Sequence, residues 1–491
     1  MDALKELIRM STAVGSDPSL VLGNFGNTSV KTEDGQWMVI KASGTPLAEV
    51  SDKNGWRQVR VADVLTLLDD KHLNRLDPAQ RAARIDAALL LACDDDQPAH
   101  VKPSVETFFH ALLDKAVIHL HPEAVLAAAC AKDGQRIVDK LFAKEKFPPL
   151  WIPYKDLGYP CARTIQTLAA RYETKYGRRP EVMIMQNHGL LVSAATPAAA
   201  LRQVKKTVAV FTEWQTVPKP LKPASIDAER LNAVRSTIRQ AVFNAGGGYV
   251  AVRGWLEGKT RALLSGPNAK SLCRGGAITP DEAAVLHGGP LWIETLDAAA
   301  LTRKLTTIKQ ANKPLPVAFA VKGLGLFTAA PAKQMPFIGR CARSYVQVRR
   351  NALRAGGLRS VPAALAACYA KSKATPAPHG VLSGRLALVT GAGSGLGRSI
   401  AIGLARAGAS VGLADIDAEA IGQTAQLIAD ERPDVSTLPL PCNVTDEQAV
   451  EKTFQTLMDA WGGLDILVNA AGVAPAFSLV DLPVDKWRFA L

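Results

Sequence analysis

The sequence lacks both a long apolar run and any paired spacing of its cysteines. No stretch approaches the roughly 18 apolar residues of a membrane-spanning helix, and Lys5, Glu6 and Arg9 interrupt the apolar positions of the first eleven residues. The 7 cysteines among 491 residues show neither a CxxC zinc spacing nor a disulfide framework. We therefore expect a protein of the reducing cytoplasm that has no membrane partner.

Acidic residues are scarce in the middle of the chain. Residues 200–379 hold 27 Lys and Arg against 8 Asp and Glu, a charge of +19, whereas residues 1–199 are neutral and residues 380–491 carry −6. This charge is spread over predicted helices and strands without a nucleic-acid reading motif, so nucleic acid is not the expected partner. Steering of a phosphorylated small molecule, docking on the acidic third segment and simple solvation stay open.

Two proline-rich breaks divide the chain. The first, at 217–224, follows a helical pattern from Ala198 to Gln215, and the second, at 372–380, is typical of an exposed linker. A chain of this length is expected to hold about three domains. The predicted domains are residues 1–217, 224–371 and 380–491, and all three have the alternating strand and helix patterns of an α/β fold.

The middle segment contains a possible repeat of the first. Residues 182–191 form an apolar strand and a glycine turn before a long helix, and residues 317–326 show the same pattern. In that pairing His188 aligns with Leu324, so the second copy would be structural. Chance similarity between two such units is the alternative.

Three histidines stand at the ends of apolar strands. His119 and His121 belong to the strand that starts at Ala116, and because successive side chains alternate, both imidazoles point the same way. His188 follows a second apolar strand. Three imidazoles with one open position match zinc or a similar divalent cation. A lone His-x-His is more often incidental, so the prediction depends on the whole set.

Small polar residues and one carboxylate accompany these histidines. Glu106 lies in the first turn of a predicted helix, where it is either a general acid/base or a partner of the helix dipole. The turn at 23–29 and the segment 41–44 place backbone N–H groups and hydroxyls at strand ends, which suits a phosphate.

Residues 1–215 resemble the class II aldolase/adducin family. The matching features are Gly26-Asn27-Thr28-Ser29, Ser43-Gly44, Ser104 with Glu106, His119-Leu120-His121 and Asn187-His188-Gly189. The resemblance implies an α/β/α domain in which His119, His121 and His188 bind the metal and Glu106 is the acid/base. It also implies that substrate phosphate is held by Asn27, Thr28, Ser43, Gly44 and Ser104. Asn24 and Phe25 stand where the family commonly has glycines, and Val105 replaces a hydroxyl residue seen in some members.

The last segment begins with a strand, a glycine turn and a helix. The apolar run from Leu386 leads into Thr390-Gly391-Ala392-Gly393-Ser394-Gly395-Leu396-Gly397, whose backbone can approach a pyrophosphate at a helix N-terminus. Asp415 ends the next strand about twenty residues later. A carboxylate there accepts hydrogen bonds from the two ribose hydroxyls and repels a 2′-phosphate, so NAD is favoured over NADP. Asn469-Ala470-Ala471-Gly472 ends another apolar strand.

Residues 383–491 resemble the N-terminal part of a short-chain dehydrogenase/reductase, which implies a partial Rossmann fold. The family's cofactor contacts fall on Gly391, Ser394, Gly395, Leu396, Gly397, Asp415, Asn443, Val444, Asn469, Ala470 and Gly472. Asn443 stands where the family usually has Asp. The family's catalytic Asn, Ser, Tyr and Lys come later than this sequence reaches. We therefore expect a truncated domain with weak or absent NAD binding and no turnover.

The domain order resembles bifunctional rhamnulose-1-phosphate aldolase/alcohol dehydrogenases. This resemblance implies metal-dependent cleavage of a ketose phosphate to dihydroxyacetone phosphate and an aldehyde, and a homo-oligomer. Two alternatives stay open: 4-epimerisation or decarboxylation of a sugar phosphate, and a non-enzymatic adducin-like module. The intact histidines and Glu106 argue against the module.

Overall fold

The chain folds into two compact units. The structure is a computed structural model that describes residues 2–23, 25–215, 227–256, 258–372, 379–473, 478 and 480–490. One unit comprises residues 1–219, 270–289 and 343–372, and the other comprises residues 220–269, 290–342 and 373–491. The middle segment thus contributes to both units. The three-domain boundaries stay a prediction, and most of each proline-rich break lies outside the described residues.

A mixed sheet organises the N-terminal region. Its strands are β1 (Asn27–Lys31), β2 (Trp37–Lys41), β3 (Trp56–Arg60), β4 (Ala116–Leu120), β5 (Leu150–Ile152), β6 (Val182–Met185) and β7 (Gly189–Ala194). Its helices are α1 (Ala3–Gly15), α2 (Val61–Asp69), α3 (Pro78–Leu91), α4 (Thr107–Leu112), α5 (Glu123–Ala129), α6 (Gly134–Leu141), α7 (Tyr159–Tyr176) and α8 (Pro197–Trp214). Within the described residues the strand order is β3-β2-β1-β4-β7-β6-β5.

Strand β4 lies at the centre of this sheet, and its five residues are all buried. Ile118 and Leu120 pack into the core on one face, whereas Val117 packs into the core on the other. His119 therefore faces the same side as Val117. The pairing partners β1 and β7 hold β4 on both edges, so the position of His119 is set by strand register rather than by a loop.

The middle region holds β8 (Ala251–Trp255), β9 (Leu291–Ile293), β10 (Ala318–Val321) and β11 (Gly325–Ala330). Its helices are α9 (Ala228–Val242), α10 (Gly258–Ser265), α11 (Ala269–Leu272), α12 (Pro280–Leu286), α13 (Ala298–Gln310), α14 (Met335–Arg354) and α15 (Ala363–Ser372). Within the described residues the strand order is β8-β11-β10-β9, with only the last pair parallel. The prediction of an α/β middle segment agrees with this architecture.

The order β8-β11-β10-β9 repeats the order β4-β7-β6-β5 of the first sheet, with the same strand directions. The turns agree in detail: the His188 N–H donates to Met185 O and the Leu324 N–H donates to Val321 O, both over 3.1 Å. Both β5 and β9 also read Leu-Trp-Ile. These correspondences support the repeat that the sequence suggested.

The C-terminal region is a parallel sheet with helices. It contains β12 (Leu386–Thr390), β13 (Ser410–Asp415), β14 (Thr437–Pro441) and β15 (Ile466–Asn469), with α16 (Gly395–Arg406), α17 (Ala418–Glu431), α18 (Glu447–Trp461) and α19 (Val484–Ala490). Its described strands are ordered β14-β13-β12-β15 and all pair in parallel. The predicted fold class, mixed α/β with a partial Rossmann fold at the C-terminus, is confirmed. None of the described helices is long and apolar enough to cross a bilayer.

Candidate active site

The three predicted histidines come together at one end of the first sheet. His119 is the fourth residue of β4, His121 directly follows that strand, and His188 lies in the turn between β6 and β7. One ring nitrogen from each histidine lies within 4.8 Å of the others. All three side chains are at most 5% exposed, so the structure brings these ligand atoms together away from bulk solvent.

Glycine is required at two places for this convergence. A Cβ atom on Gly189 would lie 2.4 Å from the Leu120 carbonyl oxygen and 2.6 Å from Cδ2 of His121. A Cβ atom on Gly26, whose φ is +102°, would lie 2.8 Å from the His119 carbonyl oxygen. Both distances are shorter than any tolerated contact, so the two glycines let their loops close against the histidine-bearing strand.

Hydrogen bonds assign the tautomers of two of these histidines. Nδ1 of His119 lies 3.0 Å from the Leu190 carbonyl oxygen, and Nδ1 of His121 faces a carboxylate oxygen of Asp281. Carbonyl and carboxylate oxygens accept, so both Nδ1 atoms carry the proton and each Nε2 presents a lone pair. Nε2 of His119 lies 2.8 Å from Nε2 of His121 and 3.2 Å from Nε2 of His188.

Two imidazole lone pairs at this distance repel each other unless a positive centre lies between them. A shared proton is disfavoured, because burial lowers the pKa of His119 well below its ordinary value. A divalent cation about 2.0–2.1 Å from each nitrogen would separate the nitrogens by about 3 Å. The donor set therefore fits such a cation, with His119, His121 and His188 as the residues that could hold it.

Glu106 lies beside this cluster. It occupies the N-cap position of α4, yet its side chain makes no capping hydrogen bond. Its Oε1 instead lies 3.4 Å from Nε2 of His119 and 3.3 Å from Nε2 of His188. Burial would raise the pKa of Glu106, whereas positive charge at His119, His188 and His121 lowers that pKa well below its ordinary value. Because the rings themselves are neutral, a cation held by them would supply that charge. The geometry thus favours a carboxylate next to the histidines over a partner of the helix dipole.

The predicted phosphate contacts differ in exposure: Ser43 and Gly44 are exposed, whereas Asn27 and Ser104 are buried. Ser43 and Gly44 lie in a loop whose backbone pairs with the segment before Ser104. Asn27 pairs directly with His119 across β1 and β4. The Ser104 hydroxyl accepts from the Glu106 N–H over 3.2 Å and so orders the start of α4.

Thr28 does not fit the phosphate prediction. Alternation along β1 turns its side chain to the face opposite Asn27, where its buried hydroxyl lies 2.7 Å from the Ser11 hydroxyl. We therefore leave Thr28 out of the proposed phosphate contacts. His110, on α4, is buried: its Nδ1 lies 2.8 Å from the Ser29 hydroxyl, and burial lowers its pKa to about 3.

Asp281 is the site residue that sequence reasoning missed. It comes from α12, in the middle segment, and its carboxylate contacts His121 although 160 residues separate the two. Thr279-Pro280-Asp281-Glu282 is a helix-start signature, and Thr279 does cap α12 by accepting from the Glu282 N–H over 3.0 Å. That signature predicts a helix but carries no information about a distant partner.

The predicted nucleotide contacts gather at the carboxyl ends of the four parallel strands. Gly391 has a φ of +64°, and a Cβ atom on Gly397 would lie 2.0 Å from the Gly391 carbonyl oxygen. Asp415 accepts from the Gly393 N–H over 2.8 Å, which places its carboxylate against the glycine turn. Thr390 pairs with Asn469 in the sheet, and its hydroxyl accepts from the Ala470 N–H over 3.1 Å.

The remaining predicted contacts surround that turn. Ser394 is the N-cap of α16, Gly395 begins the helix and Leu396 is 80% exposed beside it. Asn443 and Val444 follow β14, where the Asn443 side chain accepts from the Thr445 N–H over 3.1 Å, and Gly472 follows β15. This arrangement is the one expected of a dinucleotide-binding crevice: the predicted contact residues lie at the ends of the strands, and the N-terminus of helix α16 lies at the glycine turn.

Comparisons with known proteins match both ends of the chain to known families. The family described as class II aldolase and adducin N-terminal domain matches residues 5–212. The short chain dehydrogenase family matches residues 385–490. The chain joins a class II aldolase domain to a short-chain dehydrogenase domain. Class II aldolases typically bind a divalent metal, and short-chain dehydrogenases bind NAD(P).

Relatives of this fusion include a protein similar over almost the whole chain. The uncharacterized oxidoreductase YuxG of Bacillus subtilis is 25% identical over 99% of this chain and 75% of its own length. The 15-hydroxyprostaglandin dehydrogenase [NAD(+)] of Homo sapiens is 42% identical over 19% of this chain, which spans 35% of that protein. Among solved structures, an N-terminal class II aldolase domain from Thermoplasma acidophilum is 26% identical over 43% of this chain and 93% of its own, with a TM-score of 0.35.

Proposed function

We propose that the N-terminal domain is a metal-dependent aldolase that cleaves a ketose phosphate of the rhamnulose-1-phosphate type. The observation that carries this proposal is the convergence of three Nε2 atoms, with the Glu106 carboxylate 3.3–3.4 Å from two of them. A divalent cation there, zinc or a similar ion, would polarise the ketose carbonyl as the carbon–carbon bond breaks. The products are dihydroxyacetone phosphate and a short aldehyde.

Glu106 moves the proton in this reaction. Beside a bound cation Glu106 would be ionised, so its carboxylate can accept a proton from the hydroxyl group next to the breaking bond. As that bond breaks, the hydroxyl carbon becomes the aldehyde. The same proton then returns to the carbon of the three-carbon fragment that has lost its partner. The reaction consumes no other reactant, and its atoms balance.

Substrate phosphate would be held by the small polar groups on the neighbouring strands. The Ser43 hydroxyl, the Gly44 N–H and the Asn27 amide are the candidate contacts, with Ser104 ordering the turn that carries Glu106. Hydroxyl and backbone N–H donors suit a phosphate because they add no charge of their own that must be neutralised when the site is empty.

For the C-terminal domain, we propose NAD rather than NADP as the cofactor that its residues recognise. Asp415 stands beside the glycine turn, where its charge would repel a 2′-phosphate. A complete dehydrogenase domain would oxidise or reduce, with NAD, the aldehyde that the first domain releases.

Cleavage is tested with the purified chain and rhamnulose 1-phosphate or fuculose 1-phosphate. We expect dihydroxyacetone phosphate to appear, and we expect a chelator or His119→Ala to abolish it. Carbon NMR of the products separates cleavage from 4-epimerisation, which conserves the number of carbons, and from decarboxylation, which releases carbon dioxide. Cleavage that is unaffected by His119→Ala would refute the metal-dependent mechanism.

A further inference from the structure

We propose that Asp281 is a positioning residue that holds His121 for cation binding, so that the middle segment contributes to the aldolase site. This inference rests on the proposed function of the histidine cluster. Asp281 is 7% exposed, and its Oδ2 contacts Nδ1 of His121 on the side of the ring opposite the converging Nε2 atoms. It is therefore placed to orient the ring rather than to join the three nitrogens.

Asp281 acts on both the orientation and the basicity of His121. A carboxylate that accepts from Nδ1–H prevents the ring from flipping and keeps the lone pair on Nε2, where the cation would bind. It also increases the basicity of Nε2, which strengthens a metal–nitrogen bond. His119 has only a neutral acceptor at the equivalent position, the Leu190 carbonyl oxygen at 3.0 Å.

The backbone around Asp281 is held by buried polar contacts. The next residue, Glu282, accepts two hydrogen bonds from Arg349, and the Thr279 hydroxyl lies 2.6 Å from the Tyr345 hydroxyl. The Ile278 N–H donates to Glu282 over 2.7 Å. Because these contacts fix the backbone on both sides of Asp281, they hold its carboxylate against His121.

The same segment is also attached to the turn that carries His188. Nδ2 of Asn187, a residue with a φ of +55°, donates to the carbonyl oxygens of Ile278 and Arg359 over 2.8 and 2.7 Å. Two of the three histidines thus depend on residues that follow position 269. In the repeat, the second copy has Leu324 at the position of His188, and the segment that contains this copy supplies the support.

The test measures zinc affinity rather than turnover. Wild type, Asp281→Ala, Asp281→Asn and the control Asp139→Ala, at an exposed position of α6, are stripped of metal and titrated with zinc against a chromogenic chelator. We expect Asp281→Ala to weaken zinc binding by about 10–100-fold. Asp281→Asn should lose less zinc affinity, because its amide oxygen can still accept a hydrogen bond from Nδ1–H of His121. The control should bind as wild type does.

The visible spectrum of cobalt bound to the same proteins gives a second readout. A shifted cobalt spectrum in Asp281→Ala is expected if His121 changes its orientation. Zinc affinity and cobalt spectrum equal to wild type in Asp281→Ala would overturn this inference alone. Failure of the wild-type protein to bind any cation would overturn the proposed function and this inference with it. If Asp281→Ala fails to fold, the zinc titration of Asp281→Asn takes its place. A zinc affinity of Asp281→Asn equal to that of wild type would then overturn the inference.

Discussion

Glu282 and Arg349 form a bidentate ion pair in which neither side chain is exposed to solvent. Nε of Arg349 donates to Oε1 of Glu282 over 2.7 Å, and its NH2 group donates to Oε2 over 2.8 Å. Two further guanidinium protons reach the carbonyl oxygens of Arg274 and Gly276. Each nitrogen of the guanidinium therefore donates and both carboxylate oxygens accept, and the pair links the start of α12 to α14.

Breaking this pair should destabilise the unit strongly. Arg349→Met leaves the Glu282 carboxylate buried and uncompensated, which costs about 3–5 kcal/mol. Calorimetry should show a lower unfolding temperature for Arg349→Met. Adding Glu282→Leu should restore part of the lost stability, because it removes the unpaired carboxylate. The control Arg136→Met removes an exposed pair with Asp133, at 3.6 Å, and should cost about 1 kcal/mol or less. Equal losses in Arg349→Met and the control would contradict this account.

Glu106→Gln should abolish most of the cleavage while leaving the histidines able to bind zinc. The amide cannot accept the proton, so we expect kcat to fall by roughly 10²–10⁴-fold. Glu173→Gln, on α7 with its side chain 50% exposed, is the matched control and should retain activity. Full activity in Glu106→Gln would show that another group moves the proton.

Gly189→Ala should weaken both the fold and the histidine site. The added methyl group would overlap the Leu120 carbonyl and the His121 ring, at a cost of about 1–3 kcal/mol. We expect a lower unfolding temperature together with weaker zinc binding. Gly422→Ala, where a Cβ atom meets nothing within 4 Å, should not lower stability. Unchanged zinc affinity in Gly189→Ala would mean that the turn relaxes without moving His121.

Asp415→Asn should reduce discrimination against NADP. The amide oxygen can still accept from the Gly393 N–H, but the charge that repels a 2′-phosphate is gone. We expect the affinity for NADP relative to NAD to rise roughly tenfold, as expected from the loss of about 1.4 kcal/mol of repulsion. Titration of both nucleotides by calorimetry measures the ratio. A ratio unchanged by the substitution would assign the selectivity to other residues.

The cysteines should differ in thiol reactivity according to how deeply they are buried. Cys368 is exposed, whereas burial, together with Glu106 and Asp156, raises the pKa of Cys161 to about 12. A raised pKa means that the thiol stays protonated at pH 8, and the thiolate is the reactive form. We expect a disulfide reagent at pH 8 to modify Cys368 first and Cys161 only after unfolding. In Cys368→Ser the fast phase should disappear, and its persistence would contradict the assignment.

The amino-acid sequence by itself determined the local elements and the identity of the ligand candidates. His119 and His121 are two residues apart on a strand, so period-two alternation places them on one face. The glycine turn at 391–397 and Asp415 form a local strand–turn–helix–strand unit whose geometry follows from the spacing. Such features depend on neighbouring residues, and for this reason the fold class and both families could be recognised before the structure was known.

Only the tertiary structure decided which distant groups meet. The contact of Asp281 with His121, the pairing of Glu282 with Arg349 and the bonds from Asn187 to Ile278 and Arg359 join segments that lie 67 to 172 residues apart. It also turned Thr28 away from the site, because strand register sets the face of each side chain. Contacts of this kind follow from the packing of whole elements, and no local pattern in the chain records them.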